Sequence, residues 1–210
     1  MTGTPWRSDT IPIALANYIS EHGRLPVDYS YDLKQAIKDG VCRVPHVTLA
    51  ANELITVIED GGKENFQSIT KFLEDSTLPY SEIIFHDEVL RETLERGIVR
   101  LNKERLIAED AGGLIVASSI SHAKKIQYLL SQLGEYSKVV TYQESKPERL
   151  IQNFKRSNEK WIISIGMISE GTNIPRLRVC CYLSLVTTEL YFRQVLGRVL
   201  RAQNNGREMG

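Results

Sequence analysis

Residues 114–134 read Leu-Ile-Val-Ala-Ser-Ser-Ile-Ser-His-Ala-Lys-Lys-Ile-Gln-Tyr-Leu-Leu-Ser-Gln-Leu-Gly. The first four, Leu114 to Ala117, are apolar without alternation, the pattern of a strand buried on both faces. Ser118 and Ser119 break the run, a helical pattern follows from 122 to 133, and Gly134 ends it. A doubly buried strand leading straight into a helix is half of a parallel βαβ unit.

Downstream the alternation repeats. Residues 138–141 predict a second strand. Ser145, Pro147 and Glu148 combine a serine cap, a first-turn proline and a capping-box glutamate for a helix running to Phe154. Residues 161–165 predict a third strand and 179–183 a fourth. The fold class is therefore α/β, a parallel sheet with helices on both faces. Such sheets bind ligands at the carboxyl ends of their strands. Those ends carry Ser118, Ser119, Thr141 and the stretch 166–175, a row of hydroxyls, glycines and amides expected on one rim. Each hydroxyl also has a simpler use, capping the helix that follows it.

The last predicted helix spans 187–201, with a threonine cap and Glu189 in its first turn. Phe192, Val195, Leu196, Val199 and Leu200 fall on one side, and Gln194, Gly197, Arg198 and Arg201 on the other. Glycine in a helix interior costs about 1 kcal/mol against alanine, so Gly197 points to a close approach by something else. Two arginines one turn apart beside bare backbone suit a multi-oxygen anion such as a polyphosphate. By periodicity alone, a solvated amphipathic helix explains the same residues.

Upstream the pattern is looser. The start, 1–9, is turn-rich through Gly3 and Pro5. Asp9 caps a short predicted helix over 11–19, and 23–26 reads as a connector. A helix is expected over 31–40 with Gly40 as its stop, a first strand over 44–50, an undecided element over 53–60, and helices over 66–73 and 81–106. Residues 83–88, Ile-Ile-Phe-His-Asp-Glu, imitate a magnesium-holding acidic strand end, but the apolar period continues past them as in a helix.

Lysine plus arginine balances aspartate plus glutamate, 26 against 26, so no global charge points to nucleic acid. Six arginines from Arg176 onward (Arg176, Arg178, Arg193, Arg198, Arg201, Arg207) face only Glu189 and Glu208, which hints at an anion-facing end. Cys42, Cys180 and Cys181 lack metal-ligand spacing and read as reduced thiols, and no metal site is expected. With neither a signal peptide nor an apolar run of transmembrane length, the expected location is cytoplasmic, without a membrane partner.

Four stretches recur in a telling order: Thr2-Gly3-Thr4-Pro5 with Trp6-Arg7-Ser8-Asp9, residues 114–123, Ser169-Glu170-Gly171-Thr172-Asn173-Ile174-Pro175, and Gln194-Val195-Leu196-Gly197-Arg198-Val199-Leu200-Arg201. They resemble motifs III, IV, V and VI of superfamily 2 helicases and translocases, ATP-driven nucleic-acid motors built from two RecA-like domains. The DEAD/DEAH-like branch containing restriction-enzyme translocases and UvrB-like proteins is nearer than the RNA DEAD-box branch, whose motif VI begins with histidine. The resemblance implies that 1–26 end a first RecA-like domain and linker, and that 27–210 form the RecA-like helicase C-terminal domain.

Carried over residue by residue, the resemblance makes Arg201 and Arg198 arginine fingers for ATP and Gln194 their positioning neighbour. Glu170, Gly171, Asn173 and Gly197 line the nucleotide, although the family usually has aspartate in place of Asn173. Ser118, Ser119 and Thr141 contact the strand backbone, and Thr2, Gly3 and Thr4 couple nucleotide state to strand movement. The implied cofactor is ATP with Mg2+, and the implied strand is DNA ahead of RNA. No Gly-x-x-x-x-Gly-Lys-[Ser/Thr] loop occurs, and Gly61-Gly62-Lys63-Glu64 is read as a solvent loop. The phosphate cradle and magnesium carboxylates are thus expected from a missing N-terminal RecA-like domain, with the isolated chain inactive as an ATP hydrolase. The rival reading is a non-catalytic RecA-fold nucleic-acid-binding or adaptor module.

Overall fold

Strand β3 (Gly112–Ala117) is buried at all six positions, so neither of its faces can meet water. In the computed structural model it sits inside a four-stranded parallel sheet with β4 (Ser137–Val140), β5 (Trp161–Ile165) and β6 (Leu177–Leu183), in the order β4-β5-β3-β6. The structure describes residues 33–45, 55–59, 62–66, 80–165, 174–186 and 188–200. Other described elements are helices α1 (Leu33–Lys38), α2 (Tyr80–Ile83), α3 (Asp87–Arg105), α4 (Ile120–Gln132), α5 (Pro147–Arg156) and α6 (Glu189–Val199), and strands β1 (Ile55–Glu59) and β2 (Gly62–Phe66).

Two apolar layers follow from the strand period of two. Ile115, Ala117, Ile163, Val179 and Cys181 face one side, where Leu90, Leu94 and Leu101 of α3 and Ile126 and Leu130 of α4 cover them. Leu114, Val116 and Ile162 face the other, joined by Leu177 through a register shift at the start of β6, under Ile151 and Phe154 of α5 and Val195 and Val199 of α6. Strand β6 alternates buried and half-buried, as an edge strand does. The expected α/β fold, a parallel sheet with helices on both faces, is what the chain adopts.

Several local expectations change. The helix expected over 81–106 is two helices, because the chain turns at Ile84–His86 before α3 starts. Ile83 and Ile84 are both buried, so the apolar period runs on through the break and hides it. Asp87 and Glu88 therefore open α3, where the helix dipole favours acids, and neither ends a strand. At α5 the cap is Lys146, without a side-chain cap bond. Ser145 lies one residue too early to reach the first-turn amides.

Gly62, Lys63 and Glu64 pair with Glu59, Ile58 and Val57 in an antiparallel hairpin, so they are strand and not loop. That hairpin resolves 55–59 as strand, and it puts Phe66 at the end of β2 instead of the start of a helix. Residues 43–45 are irregular, so the strand expected from 44 does not begin there. The elements expected over 11–19 and 67–73 lie outside the described residues. Gly40 and Gly134 stop α1 and α4 with φ of 72° and 78°, the left-handed conformation expected of them.

Close packing between layers fixes two further glycines. A Cβ at Gly97 would lie 2.6 Å from the Cys181 Sγ, and one at Gly113 would fall inside the Trp161 indole, which is fully buried. Gly113→Ala should therefore destabilise the chain by about 2–3 kcal/mol through overpacking, read as a lower urea midpoint at unchanged slope.

Candidate functional site

The carboxyl ends of the parallel strands share one edge of the sheet, which brings Ser118, Ser119 and Thr141 to the same rim. Their hydroxyls are also used internally. Ser119 is the N-cap of α4, its Oγ accepting from the His122 amide at 3.1 Å and lying 2.9 Å from the Ser121 hydroxyl. Thr141 Oγ1 accepts from the Gln143 amide at 3.1 Å, and the residue is buried. Ser118 Oγ lies 2.8 Å from His122 Nδ1, which also accepts the Ser118 amide at 3.3 Å.

His122 is the functional-looking group that sequence reading passed over. It is fully buried, stacked 4.3 Å from the Phe85 ring, and burial pushes its pKa down to about 4. The Ile84 carbonyl opposes that shift, although Nε2 makes no hydrogen bond of normal geometry. Nearby, Lys125 pairs with Asp87 and donates to the Phe85 carbonyl, holding the α2–α3 turn against α4. The hydrogen bond from Lys125 to the Asp87 carboxylate is the main reason that carboxyl is held below its usual range.

Helix α6 does not stand on this rim. It starts at Glu189, just beyond the carboxyl end of β6, and runs back against the sheet. One guanidinium fixes its far end. Arg43 Nη1 donates to both Leu177 O, at 2.9 Å, and Val199 O, at 3.0 Å. Leu177 is the first residue of β6 and Val199 the last of α6, so helix and strand are antiparallel. Arg43 adds a bond from Nη2 to Pro175 O at 3.2 Å and from its amide to Leu200 O at 2.7 Å. Arg198 therefore lies roughly 14 Å of helix below the rim, at about 1.5 Å per residue. The hydroxyls of the rim and the Gln194–Arg198 side of α6 are thus two places on one domain.

On α6 the side toward the sheet is Tyr191, Val195 and Val199, with Phe192 edge-on to Tyr182 at 5.5 Å. Gln194 and Arg198 are half-buried and Gly197 is exposed. A Cβ at Gly197 would meet nothing within 4 Å among the described residues. Burial raises the Tyr191 phenol, against opposing pulls from Ser184 and Arg198. Thr188 is the N-cap as expected, though its side chain makes no cap bond.

Arg176, counted in the sequence among anion-facing arginines, points inward. It is 3% exposed, stacks 4.0 Å over Phe154, and donates to the carbonyls of Phe154, Asp110 and Glu159. Cys181 is buried, with a pKa pushed up to about 12, and Cys180 is raised further by the same cause. All three cysteines are free, as expected. Thr2, Gly3, Thr4, Glu170, Gly171, Asn173 and Arg201 lie outside the described residues. Among the described residues no group of three metal-ligating side chains occurs, and no helix is long and apolar enough to cross a membrane.

The helicase conserved C-terminal domain profile matches residues 93–203, more than half of the chain. The chain belongs to this family. Uncharacterized proteins of Mycobacterium leprae (strain TN) and Mycobacterium tuberculosis (strain ATCC 25618 / H37Rv) are each 30% identical over 213 residues. Those alignments cover 98% of this chain and 36% and 35% of the two relatives. The chain thus spans about a third of the length of the curated relatives it matches. Among solved structures, the Hef helicase domain of Pyrococcus furiosus is similar at TM-score 0.42 and 18% identity, over 54% of this chain and 23% of that one. Domain 2 of the DEAD-box helicase Mss116p, bound to an RNA duplex, is similar at TM-score 0.41 and 12% identity, over 61% and 48%.

The neutral, buried imidazole gives a prediction for stability. Between about pH 4 and 6.5 the unfolded histidine binds more protons than the folded one, so stability rises with pH through that window. His122 should contribute a loss of roughly 3 kcal/mol as pH falls from 7 to 4. Urea unfolding at both pH values should show a smaller loss in His122→Phe than in the parent chain.

Proposed function

We propose that this chain is the arginine-supplying second half of an ATP-driven nucleic-acid motor of the restriction-translocase and UvrB-like branch. The observation that carries the reading is the exposed side of α6. No packing among the described residues calls for glycine at 197, where alanine would be better by about 1 kcal/mol. A residue with that cost and no internal use fits a surface that another group must approach closely. Beside it stand the amide of Gln194 and the guanidinium of Arg198, donors that match phosphate oxygens.

In this reading Arg198 and Arg201 neutralise charge on ATP phosphates, Gln194 orients them, and Gly197 lets the phosphates come close. Glu170, Gly171 and Asn173 complete the contact with the nucleotide. The phosphate loop and the carboxylates that hold Mg2+ belong to a preceding RecA-like domain, which residues 1–26 finish, with Thr2, Gly3 and Thr4 coupling the two halves. The family match and the chain's one-third share of its relatives' length support that division. Ser118, Ser119 and Thr141 form the strand-facing rim for nucleic acid, with DNA the expected strand and the cytoplasm the expected location.

Separation of rim and helix by roughly 14 Å suits a device whose nucleotide and strand sites are distinct and mechanically linked. The isolated chain should hydrolyse ATP negligibly, and robust arginine-dependent turnover by it would overturn the proposal. Joined to the phosphate-binding domain, it should lose at least about a hundredfold in ATP hydrolysis on Arg198→Ala or Arg201→Ala. No hydrolysis by the joined protein, with nucleic-acid affinity indifferent to both changes, would instead identify a non-catalytic adaptor. Gly197→Ala should separate the two roles of that residue, stabilising the isolated chain by about 0.5–1 kcal/mol while lowering turnover in the joined protein.

A further inference from the structure

The pair Ser118–His122 decides what the end of β3 can offer a ligand. Nδ1 of His122 lies 3.3 Å from the Ser118 amide nitrogen in acceptor geometry and the Ile84 carbonyl faces the ring as an acceptor, which together favour a bare Nδ1. The buried ring is neutral and therefore bears its single proton on Nε2, the nitrogen left for the Ile84 carbonyl side. Ser118 Oγ lies 2.8 Å from the same Nδ1. In that tautomer the hydroxyl donates, sharing the single Nδ1 lone pair with the more distant amide. A serine hydroxyl has one hydrogen, and here that hydrogen points into the protein.

What the half-buried Ser118 presents outward is therefore only lone pairs. Non-bridging phosphate oxygens are acceptors too, so a phosphate contact at this hydroxyl would set acceptor against acceptor. We propose that Ser118 is an acceptor site on the rim, receiving a hydrogen bond from a donor on the bound strand, and that His122 is the positioning residue that holds it so. On a sugar–phosphate backbone the donor is the ribose 2′-hydroxyl, and on a base edge it is an amino or imino N–H. The role rests on the reading of a nucleic-acid strand crossing this rim. It changes the part Ser118 plays there from phosphate holder to reader of a donor.

The surroundings hold this arrangement in place. Phe85 stacks on the ring, and Lys125 fixes the turn carrying Phe85 through Asp87 and the Phe85 carbonyl. Ser119 is held differently, its Oγ accepting the His122 amide while its own hydrogen stays available to Ser121 or to an outside acceptor.

Two measurements on the full 210-residue chain test the proposal. Nitrogen-15 NMR of His122 at pH 7 should show the Nε2-protonated neutral tautomer, and an Nδ1-protonated ring would overturn the proposal outright. Binding of 12-mer oligouridylate and oligodeoxyuridylate should then be compared in the parent chain, Ser118→Ala and His122→Asn. A ribose donor predicts a three- to tenfold preference for the ribose strand, the size of one net hydrogen bond, lost in Ser118→Ala and kept in His122→Asn. A base-edge donor predicts equal three- to tenfold weakening of both strands in Ser118→Ala, reproduced in the parent by N3-methylated uridines. Affinities unmoved by Ser118→Ala overturn the proposal alone. Failure of the parent chain to bind either strand overturns the strand-binding reading and the proposal with it.

Discussion

Everything in this domain depends on β3 being apolar on both faces. A strand with no polar side must lie inside a sheet, and the sheet must be covered by helices above and below. The chain meets that demand with α3 and α4 on one face and α5 and α6 on the other. Each helix that returns from a strand's carboxyl end must run antiparallel to that strand to cover it. For α6 this moves Gln194, Gly197 and Arg198 progressively away from the rim that holds Ser118 and Thr141. The two candidate surfaces are separate because the core requires it.

The edge opposite the rim is closed by two guanidiniums whose hydrogen bonds among the described residues go to backbone carbonyls. Arg176 gathers carbonyls from Asp110, Phe154 and Glu159, and Arg43 gathers those of Pro175, Leu177 and Val199. Burial is the largest cause lowering both pKa values from the ordinary arginine value. A guanidinium keeps its proton in proteins, so its donors must be matched by acceptors, and loop and helix-end carbonyls supply them. Arg43 also joins the segment after α1 to the last turn of α6 and to Pro175. Any shift of that segment is therefore transmitted to the helix bearing Arg198.

Much of this architecture was legible in the residues. Residues 161–165 form the strand read from them, and 112–117 and 177–183 differ only by extra residues at the start. Those strands are apolar runs bounded by glycine, serine or proline, a local signal. The helix break at 84–86 was hidden because Ile83 and Ile84 sustain the period of α2 into α3. The hairpin of β1 and β2 carries its own signal, Asp60-Gly61 between two five-residue strands, yet Gly61-Gly62-Lys63-Glu64 reads locally as a solvent loop. Arg43 was invisible for a different reason. Its acceptors are backbone carbonyls more than 130 positions away, and a carbonyl leaves no mark on sequence. His122 was hidden by the same logic, since Phe85 packs on it from the turn between α2 and α3, far away in sequence.

The candidate site itself divides into residues whose form the fold explains and one whose form it does not. Ser119 and Thr141 have internal hydrogen bonds that would keep a hydroxyl at those positions without any ligand. Ser118 is tied to His122, and Gly97 and Gly113 make room for Cys181 and Trp161. Gly197 has no such reason among the described residues, where nothing lies within 4 Å of the place its side chain would fill and its helix would be steadier with alanine. Departures from local consistency without compensation inside the fold are expected where a protein meets something else. By that criterion the weight of the functional reading falls on α6, beside Arg198, more than on the rim where hydroxyls are most numerous.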